Sequence, residues 1–348
     1  MTRRHSLGAV GTRGALVAVD GTDLRAMAPR TVGDAMSLRG LLDAAHGLAP
    51  IRMAIVHPCD TASLMGAIHA WDEGLIEPVL VGPAARIRAV AAEAGLALDA
   101  FEVVDVRHSH AAAETAVALA RAGKVQALMK GALHTDEIMQ AAVRREGGLR
   151  TGRRMSHVYA LDVPHHPKPV FITDAAVNIA PSLDDKRDIV QNAIELCHAL
   201  GIPQPKVAIL SAVETVDARI VSTVDAAALC KMAERGQITG GIVDGPLALD
   251  NAVSGPAAAA KHIVSRVAGD ADVLVVPDLV SGNMLAKQLV HLAGAEAAGL
   301  VLGATVPIVV TSRSDGEASR VASCAMARLV AHHRRTRPGA VHRFADGP

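Results

Sequence analysis

Aromatic residues are almost absent from this chain, which contains one tryptophan, one tyrosine and three phenylalanines among 348 residues. Net charge is absent as well, because Lys plus Arg and Asp plus Glu both number 35. General nucleic-acid binders need a basic surface and usually stacking aromatics, so the composition argues against that class. The hydrophobic 50% of the sequence is mainly Ala, Val, Leu, Ile and Met, which suits Ala-rich helices packed on Val- and Ile-rich strands.

Cysteine motifs and long apolar runs are also lacking. The four cysteines (Cys59, Cys197, Cys230 and Cys324) lie far apart, so we expect free, buried thiols in a reducing compartment. No apolar run reaches the ~18 residues of a membrane span, and the first residues lack the apolar segment of a signal peptide. The 16 histidines form no H-E-x-x-H and no zinc-site spacing. We therefore expect a cytoplasmic protein with no metal site and no membrane contact.

Short strand-like and helix-like segments alternate along the chain, which is typical of a parallel sheet with helices on both faces. The length suggests about two domains. The glycine- and arginine-rich stretch at residues 147–154 is interpreted as a hinge or loop between them. Residues 1–33 are expected to form a mobile N-terminal extension, and residues 330–348 a basic tail.

The most informative stretch is Thr311 to Gly316, which follows the apolar run Val306 to Val310 and precedes a helical pattern. This order places the stretch at the carboxyl end of a strand and the start of a helix. Open α/β sheets bind ligands there, and helix N-termini favour anions. Arg313 offers a forked cation suited to phosphate, and Asp315 is a candidate general base. The alternative is that Ser314 or Asp315 caps the helix and Arg313 is a solvated charge.

Four other loops follow predicted strands and carry polar residues that are candidates for substrate binding. They contain Lys130 with His134 and Thr135, Asp174 with Asn178, Asp250 with Asn251, and Asp278 with Gly282, Asn283 and Lys287. For each loop the alternative to substrate binding is that these residues cap a helix or stabilise a tight turn. Because the carboxyl ends of parallel strands share one edge, we expect Asp174, Asp250 and Asn283 to line the same cleft as Ser312.

Taken together, these loops resemble the phosphate acetyltransferase/phosphate butyryltransferase family over nearly everything from about Asp34 to Leu329. The matching pieces, in order, are Lys130-Gly131 with His134-Thr135, Leu149-Arg150-Thr151-Gly152 before Ser156-His157-Val158, Thr173 to Asn178, Asp244 to Ala252, Pro277-Asp278-Leu279 with Gly282-Asn283 and Lys287, and Ser312 to Asp315. The stretch Gly245 to Asn251 and the Ser-Arg-Ser-Asp piece look closer to the butyryltransferase branch.

This resemblance implies reversible acyl transfer, in which acyl-CoA and phosphate give acyl phosphate and CoA. The acyl group would be short, such as acetyl or butyryl, and CoA and phosphate would be substrates, with no metal or redox cofactor. The resemblance also implies two α/β domains flanking a cleft, similar in fold to isocitrate and isopropylmalate dehydrogenases, and a homodimer or larger oligomer. We expect the first domain to comprise residues 34–152 and 307–329, and the second residues 153–306.

Ser312 and Arg313 match a Ser-Arg pair that lies in the cleft of the acetyltransferase branch. We expect Arg313 to contact the phosphate or the developing charge, and Ser312 to hydrogen-bond the reacting thiol or the oxyanion. The catalytic Asp of that branch falls on Ser319 here, which leaves Asp315 as the nearest acid. For the phosphate-binding arginines of the other branch, the substitutes by location are Arg150, Arg153 and Arg154.

Two other functions stay open on the sequence alone. A metal- and nicotinamide-dependent hydroxy-acid dehydrogenase of the same fold needs a cluster of Asp residues, for which Asp244, Asp250 and Asp278 are candidates. A non-catalytic acyl-CoA-sensing domain binds CoA esters without turnover. The Ser312-Arg313 pair disfavours this last reading, because degenerate domains commonly lose such residues.

Overall fold

The structure, a computed structural model, describes residues 37–312 and 315–336. The expected N-terminal extension, Arg313 and residues 337–348 lie outside this part of the chain. The described strands are β1 (Ile51–Val56), β2 (Ile76–Gly82), β3 (Glu102–Asp105), β4 (Ala127–Lys130), β5 (Ser156–Asp162), β6 (Val170–Thr173), β7 (Lys206–Leu210), β8 (Ile242–Leu247), β9 (Val273–Val275), β10 (Glu296–Leu302) and β11 (Ile308–Val309). The described helices are α1 (Leu38–His46), α2 (Thr61–Asp72), α3 (Ala84–Glu93), α4 (Ser109–Arg121), α5 (Thr135–Ala142), α6 (Leu183–Ala199), α7 (Val221–Glu234), α8 (Leu249–Val253), α9 (Gly255–Ala260), α10 (Leu279–Ala293) and α11 (Glu317–Thr336).

Capping residues explain where several helices begin. Asp60, Ser182 and Asp278 stand just before α2, α6 and α10, and the side chain of each accepts a hydrogen bond from a backbone N–H of the first turn. Such caps satisfy donors that have no partner within the helix. Helix α10 ends at Gly294, whose φ of 70° lies in the left-handed region that glycine adopts without strain.

All the strands form one 11-stranded sheet in the order β3-β2-β1-β4-β11-β10-β5-β6-β9-β7-β8. Strands β3, β2, β1, β4 and β11 are parallel, and so are β6, β9, β7 and β8. Between the two sets, β10 runs antiparallel to β11 and to β5, and β5 runs antiparallel to β6. The two parallel sets therefore point in opposite directions.

This reversal makes the expectation of one shared edge wrong. Strands β4 and β11 run in one direction, whereas β6, β9 and β8 run in the other. The physical reason is the antiparallel pair β10 and β5 in the middle of the sheet, which reverses the strand direction. The register nevertheless places Val309, Leu300, Val158 and Thr173 in one row, so β11 and β6 end at the same level of the sheet. At ~4.8 Å for each of three strand intervals, these two ends lie about 14 Å apart across β10 and β5. The shared cleft of Ser312 with Asp174 and Asn283 therefore stays a prediction.

The two faces of the sheet differ in how their apolar cores are built. On one face, side chains of α1, α2, α6, α7 and α11 form a single continuous core that spans both halves of the sheet. On the opposite face the core is divided into two clusters, one beneath α4 and α5 and the other beside α8 and α10. Strand β10 contributes Val301 to the first cluster and Ala297 to the second, so the division lies over the central strands.

Helix α11 joins the C-terminal segment to both parts of the sheet. It packs against α1 and α2 and also against β4, β10 and β11. The grouping of residues 307–329 with residues 34–152 stays a prediction, because one sheet runs through both expected domains. The helix continues to Thr336, so residues 330–336 do not belong to a basic tail as expected. Val330 and His332 are buried, and His332 Nε2 shares a 2.8 Å hydrogen bond with the Ala49 carbonyl, which explains this extension.

The cysteines and the helix lengths bear on two further expectations. All four cysteines are free, as predicted, and Cys59, Cys197 and Cys324 are buried. Across residues 37–312 and 315–336, no helix combines the length and the apolar character needed to cross a bilayer.

Candidate active site

The 312–316 turn, which connects β11 to α11, is the centre of the candidate site. The Asp315 carboxylate accepts a hydrogen bond from the Ser312 backbone N–H at 2.6 Å, and the Asp315 N–H donates to the Ser312 carbonyl at 3.2 Å. These two contacts close the turn, with Asp315 half-buried and Ser312 exposed. Arg313 and Ser314 lie between them but outside the described residues, so the expected role of Arg313 stays a prediction.

The Asp315 carboxyl has an altered electrostatic environment. Burial raises its pKa above the usual range of an aspartate and outweighs the influences that lower the pKa. Those influences are the hydrogen bond from Ser312 and the positive charges of Arg320, Lys130 and His291. A carboxylate with a raised pKa is a stronger base than an exposed aspartate, so this environment suits proton transfer.

Lys130 ends β4 beside the turn and is 8% exposed. Its Nζ donates to the Gly131 carbonyl at 3.3 Å and to the Leu133 carbonyl at 3.1 Å. Lys130, Ser312 and Arg320 are among the residues that line a cavity of about 100 Å³. The structure therefore brings together two of the loops that the sequence singled out, at the edge where β4 and β11 end.

His134 and Thr135, from the same loop as Lys130, stand at the start of α5. The His134 backbone N–H donates to the Glu137 carboxylate at 3.0 Å, which is the contact of a helix cap. The His134 side chain is exposed and Thr135 is partly exposed. The capping interpretation accounts for these two residues, and substrate binding by them stays a prediction.

Sequence reasoning missed Arg320, one turn into α11. This side chain is only 7% exposed, and its Nη1 donates to the Asp315 carbonyl at 2.6 Å and to the Gly316 carbonyl at 3.4 Å. Its Nη2 donates to the Ser312 carbonyl at 3.4 Å. Arg320 stands beside Val321, on the helix face that is buried. Charged residues are rarely buried without partners, and this position is the signal that could have identified it.

A second group of predicted residues lies around Asp174, across β10 and β5 from the turn. This carboxylate is 2% exposed and accepts four hydrogen bonds. The donors are the backbone N–H groups of Ala176 at 2.9 Å, Val177 at 3.0 Å and Asn178 at 3.1 Å, and the Asn178 amide at 2.5 Å. Its hydrogen-bonding capacity is used within the protein, so the turn interpretation of this loop accounts for the residue type.

Three more residues, Arg154, Gly282 and Asn283, complete this group. We call the full set the Asp174 cluster: Arg154, Asp174, Asn178, Gly282 and Asn283. The Arg154 Nε donates to the Asn178 side-chain oxygen at 2.7 Å, and the Asn283 amide donates to the Ala175 carbonyl at 3.2 Å. A Cβ added at Gly282 would lie 2.8 Å from a carbonyl oxygen of the same loop, so only glycine fits there.

Other predicted residues have structural partners or are exposed. Asp278 caps α10 and accepts hydrogen bonds from the Ser281 backbone N–H at 2.8 Å and hydroxyl at 3.0 Å. Lys287 is exposed on the same helix, and Arg150 is exposed in the loop before β5. Arg153 pairs with a carboxylate of α6 at 2.5 Å. None of these contacts connects the residues to the 312–316 turn.

Asp250 and Asn251 do not lie near Ser312, contrary to the expectation of a shared cleft. They follow β8, the edge strand, which is six strand intervals from β11. At ~4.8 Å for each interval, the separation along the sheet is about 29 Å. Asn251 is buried and its amide donates to the Glu214 carboxylate at 3.3 Å, while Asp250 is exposed.

His157 and Tyr159 on β5 lie between the 312–316 turn and the Asp174 cluster. Their rings meet edge to face with centroids 4.4 Å apart. Burial lowers the pKa of His157 despite the opposing effect of the Asp174 carboxylate. Burial also raises the pKa of Tyr159 to about 12, and the Asp315 carboxylate adds to this increase. Both side chains are therefore neutral near pH 7, and each experiences the charge of one of the two loops.

A larger cavity, of about 460 Å³, lies next to Asp315 and has mostly apolar walls. Leu38 and Leu42 of α1, Val290 of α10 and Ala322 of α11 line it. The half-buried carboxylate thus lines a mostly apolar cavity, while Lys130 and Arg320 line the smaller polar cavity near it. Among the described residues, no three His, Cys, Asp or Glu side chains are grouped so that they could hold a metal ion.

Comparison with known proteins connects this arrangement to one family. The family model described as "Phosphate acetyl/butaryl transferase" matches residues 110–328. A phosphate acetyltransferase of Rhizobium meliloti is 61% identical over 295 residues, which are 85% of this chain and 93% of that protein. A phosphate butyryltransferase of Clostridium acetobutylicum is 39% identical over 280 residues, 80% of this chain and 93% of that protein. These identities do not support the expectation of a closer likeness to the butyryltransferase branch.

Solved structures confirm the predicted fold class. A branched-chain phosphotransacylase from Enterococcus faecalis V583 is 32% identical and superposes with a TM-score of 0.72, covering 81% of this chain and 99% of that one. A 4-hydroxythreonine-4-phosphate dehydrogenase from Klebsiella pneumoniae is 14% identical, with a TM-score of 0.51 and the same coverage. This second likeness concerns the fold alone and agrees with the dehydrogenase-like architecture that was expected.

Proposed function

This chain belongs to the phosphate acetyl/butyryltransferase family, and from that premise we propose that it transfers a short acyl group reversibly between CoA and inorganic phosphate. The observation that carries the proposal is the 312–316 turn. There, a half-buried carboxylate with a raised pKa lies close to two largely buried cations, Lys130 and Arg320. Acyl transfer between a thiol and a phosphate requires a base for the thiol proton and positive charge for the phosphate, and both are present.

The proposed reaction transfers one proton and replaces the C–S bond of the thioester with a C–O bond to phosphate. A phosphate oxygen attacks the thioester carbonyl carbon and forms a C–O bond, and the proton of the phosphate passes to the Asp315 carboxylate. The tetrahedral oxyanion then collapses, the C–S bond breaks, and the leaving thiolate takes that proton. In reverse, Asp315 removes the proton from the CoA thiol, whose ordinary pKa of about 8.5 leaves it mostly protonated at neutral pH.

We assign the positive charge that binds phosphate and the donor that stabilises the oxyanion to the same turn. We assign phosphate binding to Arg313, whose planar fork suits two phosphate oxygens, and stabilisation of the oxyanion to the Ser312 hydroxyl. Lys130 adds charge from the neighbouring strand. The Asp174 cluster, which has few polar groups left unused, is assigned a supporting role on the other side of β10 and β5.

The acyl group that we propose is short and aliphatic. The cavity beside Asp315 supports this choice, since its wall is mostly apolar and includes Leu38, Leu42 and Val290, although Arg39 and Glu296 also line it. A pocket of this kind discriminates between chains that differ by one methylene by about 1–3 kcal/mol. We also propose that the protein acts as a homodimer or larger oligomer, on the basis of family membership.

A thiol-release assay tests the proposal. The protein is incubated with acetyl-, propionyl-, butyryl- and isobutyryl-CoA, with and without phosphate, and free thiol and acyl phosphate are measured separately. We expect thiol release only when phosphate is present, with one mole of acyl phosphate for each mole of thiol. Thiol release without phosphate would indicate a hydrolase, and binding of acyl-CoA without thiol release would indicate a sensing domain. Either result would contradict the proposed transfer.

A further inference from the structure

We propose that Arg320 is a positioning residue that holds the 312–316 turn in its reactive shape, an inference that rests on the proposed function of that turn. The guanidinium group lies under the turn and bridges its two ends. Nη1 donates to the Asp315 carbonyl at 2.6 Å, and Nη2 reaches the Ser312 carbonyl at 3.4 Å. A planar fork with several donors can bridge two carbonyls, which a lysine ammonium does less well.

The path of the Arg320 side chain depends on a glycine in another helix. Gly66 lies inside α2, and a Cβ added there would be 2.5 Å from the Arg320 Cδ and 3.3 Å from its Cβ. The first distance is too short for a real contact and the second is unusually tight, and both atoms belong to the buried part of the stem. Glycine in a helix interior is less favourable than alanine by about 1 kcal/mol. The close approach of the arginine stem explains why glycine occupies this position.

Arg320 acts on the reaction through other groups. Its two terminal nitrogens point to backbone carbonyls of the turn, and its positive charge lowers the pKa of Asp315 against the effect of burial. The Asp315 carboxylate accepts a hydrogen bond from the Ser312 N–H, while the Arg320 guanidinium donates to the carbonyls of both residues. Ser312 and Asp315, two of the proposed reacting residues, are thus both fixed through their carbonyls by one buried cation.

A second arginine on the same helix provides a matched control. Arg328 lies two turns further along α11, is 2% exposed, and also donates to backbone carbonyls, at 3.1 Å to Ala49 and 2.9 Å to Gly74. Those carbonyls belong to loops that lie away from the 312–316 turn. Replacing Arg328 therefore removes a buried carbonyl clamp of the same kind without touching the proposed reacting residues.

The test compares Arg320→Ala, Arg320→Lys, Gly66→Ala and Arg328→Lys with the wild type in the thiol-release assay. We expect Arg320→Ala to lower kcat about 100-fold, the effect of misplacing reacting groups by about 1 Å, with a much smaller change in the KM for acyl-CoA. Arg320→Lys should retain part of kcat, and Gly66→Ala should lose kcat although the arginine is still present. Arg328→Lys should keep kcat close to that of the wild type and lose stability only.

Added guanidinium ion gives a readout that general destabilisation would not produce. It should restore at least part of the kcat of Arg320→Ala, since the space left by the side chain joins the cavity lined by Lys130 and Ser312. It should not raise the kcat of Arg328→Lys. A kcat close to wild type in folded Arg320→Ala would overturn the proposal, as would an equal kcat loss in Arg328→Lys.

Amide hydrogen exchange separates failure of this proposal from failure of the proposed function. The Ser312 and Asp315 amides should exchange faster in Arg320→Ala and Gly66→Ala than in the wild type or Arg328→Lys, whether or not the protein turns over acyl-CoA. An inactive wild type with this exchange pattern would reject the acyl transfer and retain the positioning role. An active wild type with unchanged exchange in Arg320→Ala would reject the positioning role and retain the acyl transfer.

Discussion

Asp315 and Asp174 are two aspartates that follow strands of the same sheet, yet their surroundings differ. Asp174 is buried with four hydrogen-bond donors, all from its own loop. Within the described part of the chain, the half-buried Asp315 carboxylate accepts one backbone hydrogen bond, lies beside a mostly apolar cavity and has a raised pKa. A carboxylate saturated by internal donors stabilises a loop, whereas one that is desolvated and little hydrogen-bonded is suited to exchange a proton.

The replacement Asp315→Asn has the largest expected effect and tests the first half of this comparison. If Asp315 is the base, turnover in the thiol-release assay should fall about 100-fold or more, the low end for general acid–base catalysis. Asparagine can still accept the hydrogen bond from the Ser312 N–H, so the turn should keep its shape. Turnover close to wild type would show that Asp315 only caps the turn and that another group is the base.

The stability of Asp315→Asn gives the matching control. A pKa raised by burial means that folding favours the protonated form, so this contribution to stability is present at low pH and is lost as the pH rises through the raised pKa. The neutral asparagine removes that loss, and the melting temperature at pH 7 should equal or exceed that of the wild type. Activity of the wild type should fall in acid as Asp315 is protonated, at a pH set also by Lys130, Arg320, His291 and Tyr159 around it.

Substitutions of Arg313 have the next largest expected effect and sharpen the assignment of charge. Arg313→Gln removes the cation and should raise the KM for phosphate and lower turnover, while Arg313→Lys keeps the charge, loses the fork and should be milder. The KM for acyl-CoA should change less in both variants. Equal changes in the KM for phosphate and acyl-CoA would contradict a specific phosphate contact.

Asp174→Asn tests the other half of the comparison through stability. The new amide group must face two N–H donors wherever it is placed, so at least two hydrogen bonds are lost. Unsatisfied buried groups cost about 1–3 kcal/mol each, and the midpoint of urea unfolding should fall accordingly. Asp184→Asn is the control, because that side chain is 81% exposed and should unfold like the wild type. A large loss of kcat with unchanged stability would instead place Asp174 in the reaction.

Local patterns were sufficient to predict the strands and helices that carry the site. The apolar run before Ser312 is β11, and the helical pattern after Gly316 is α11, as expected. The set of loops also identified the family, which the comparisons confirmed. Strand direction could not be predicted, because the reversal at β10 and β5 depends on pairing between residues that are far apart in sequence. The expected meeting of Ser312 with Asp250 failed because β11 and β8 are six strand intervals apart, an order that also depends on long-range pairing.

Choosing between a ligand contact and a turn also required three-dimensional information. Asp174 and Asp278 have the same short side chain after a strand as many ligand-binding residues, and only their hydrogen-bond partners identify them as loop and helix stabilisers. Arg320 was missed because its partners are backbone carbonyls, which leave no trace in residue types. The pairing with Gly66 likewise joins two helices more than 200 residues apart in sequence.

Asp278→Ala has the smallest expected effect and tests whether a predicted substrate residue is only a helix cap. The loss of the cap on α10 should cost about 1 kcal/mol of unfolding free energy, and Asp278→Asn should cost less because asparagine also caps well. Both variants should keep the wild-type kcat and KM, since Asp278 has its partners in Ser281 and follows β9, which is separated from β11 by β10, β5 and β6. A rise in the KM for acyl-CoA in both variants, with little loss of stability, would mean that the substrate extends across the sheet to the Asp174 cluster. The 312–316 turn and the Asp174 cluster would then form one binding site, and the separate roles proposed for them would be wrong.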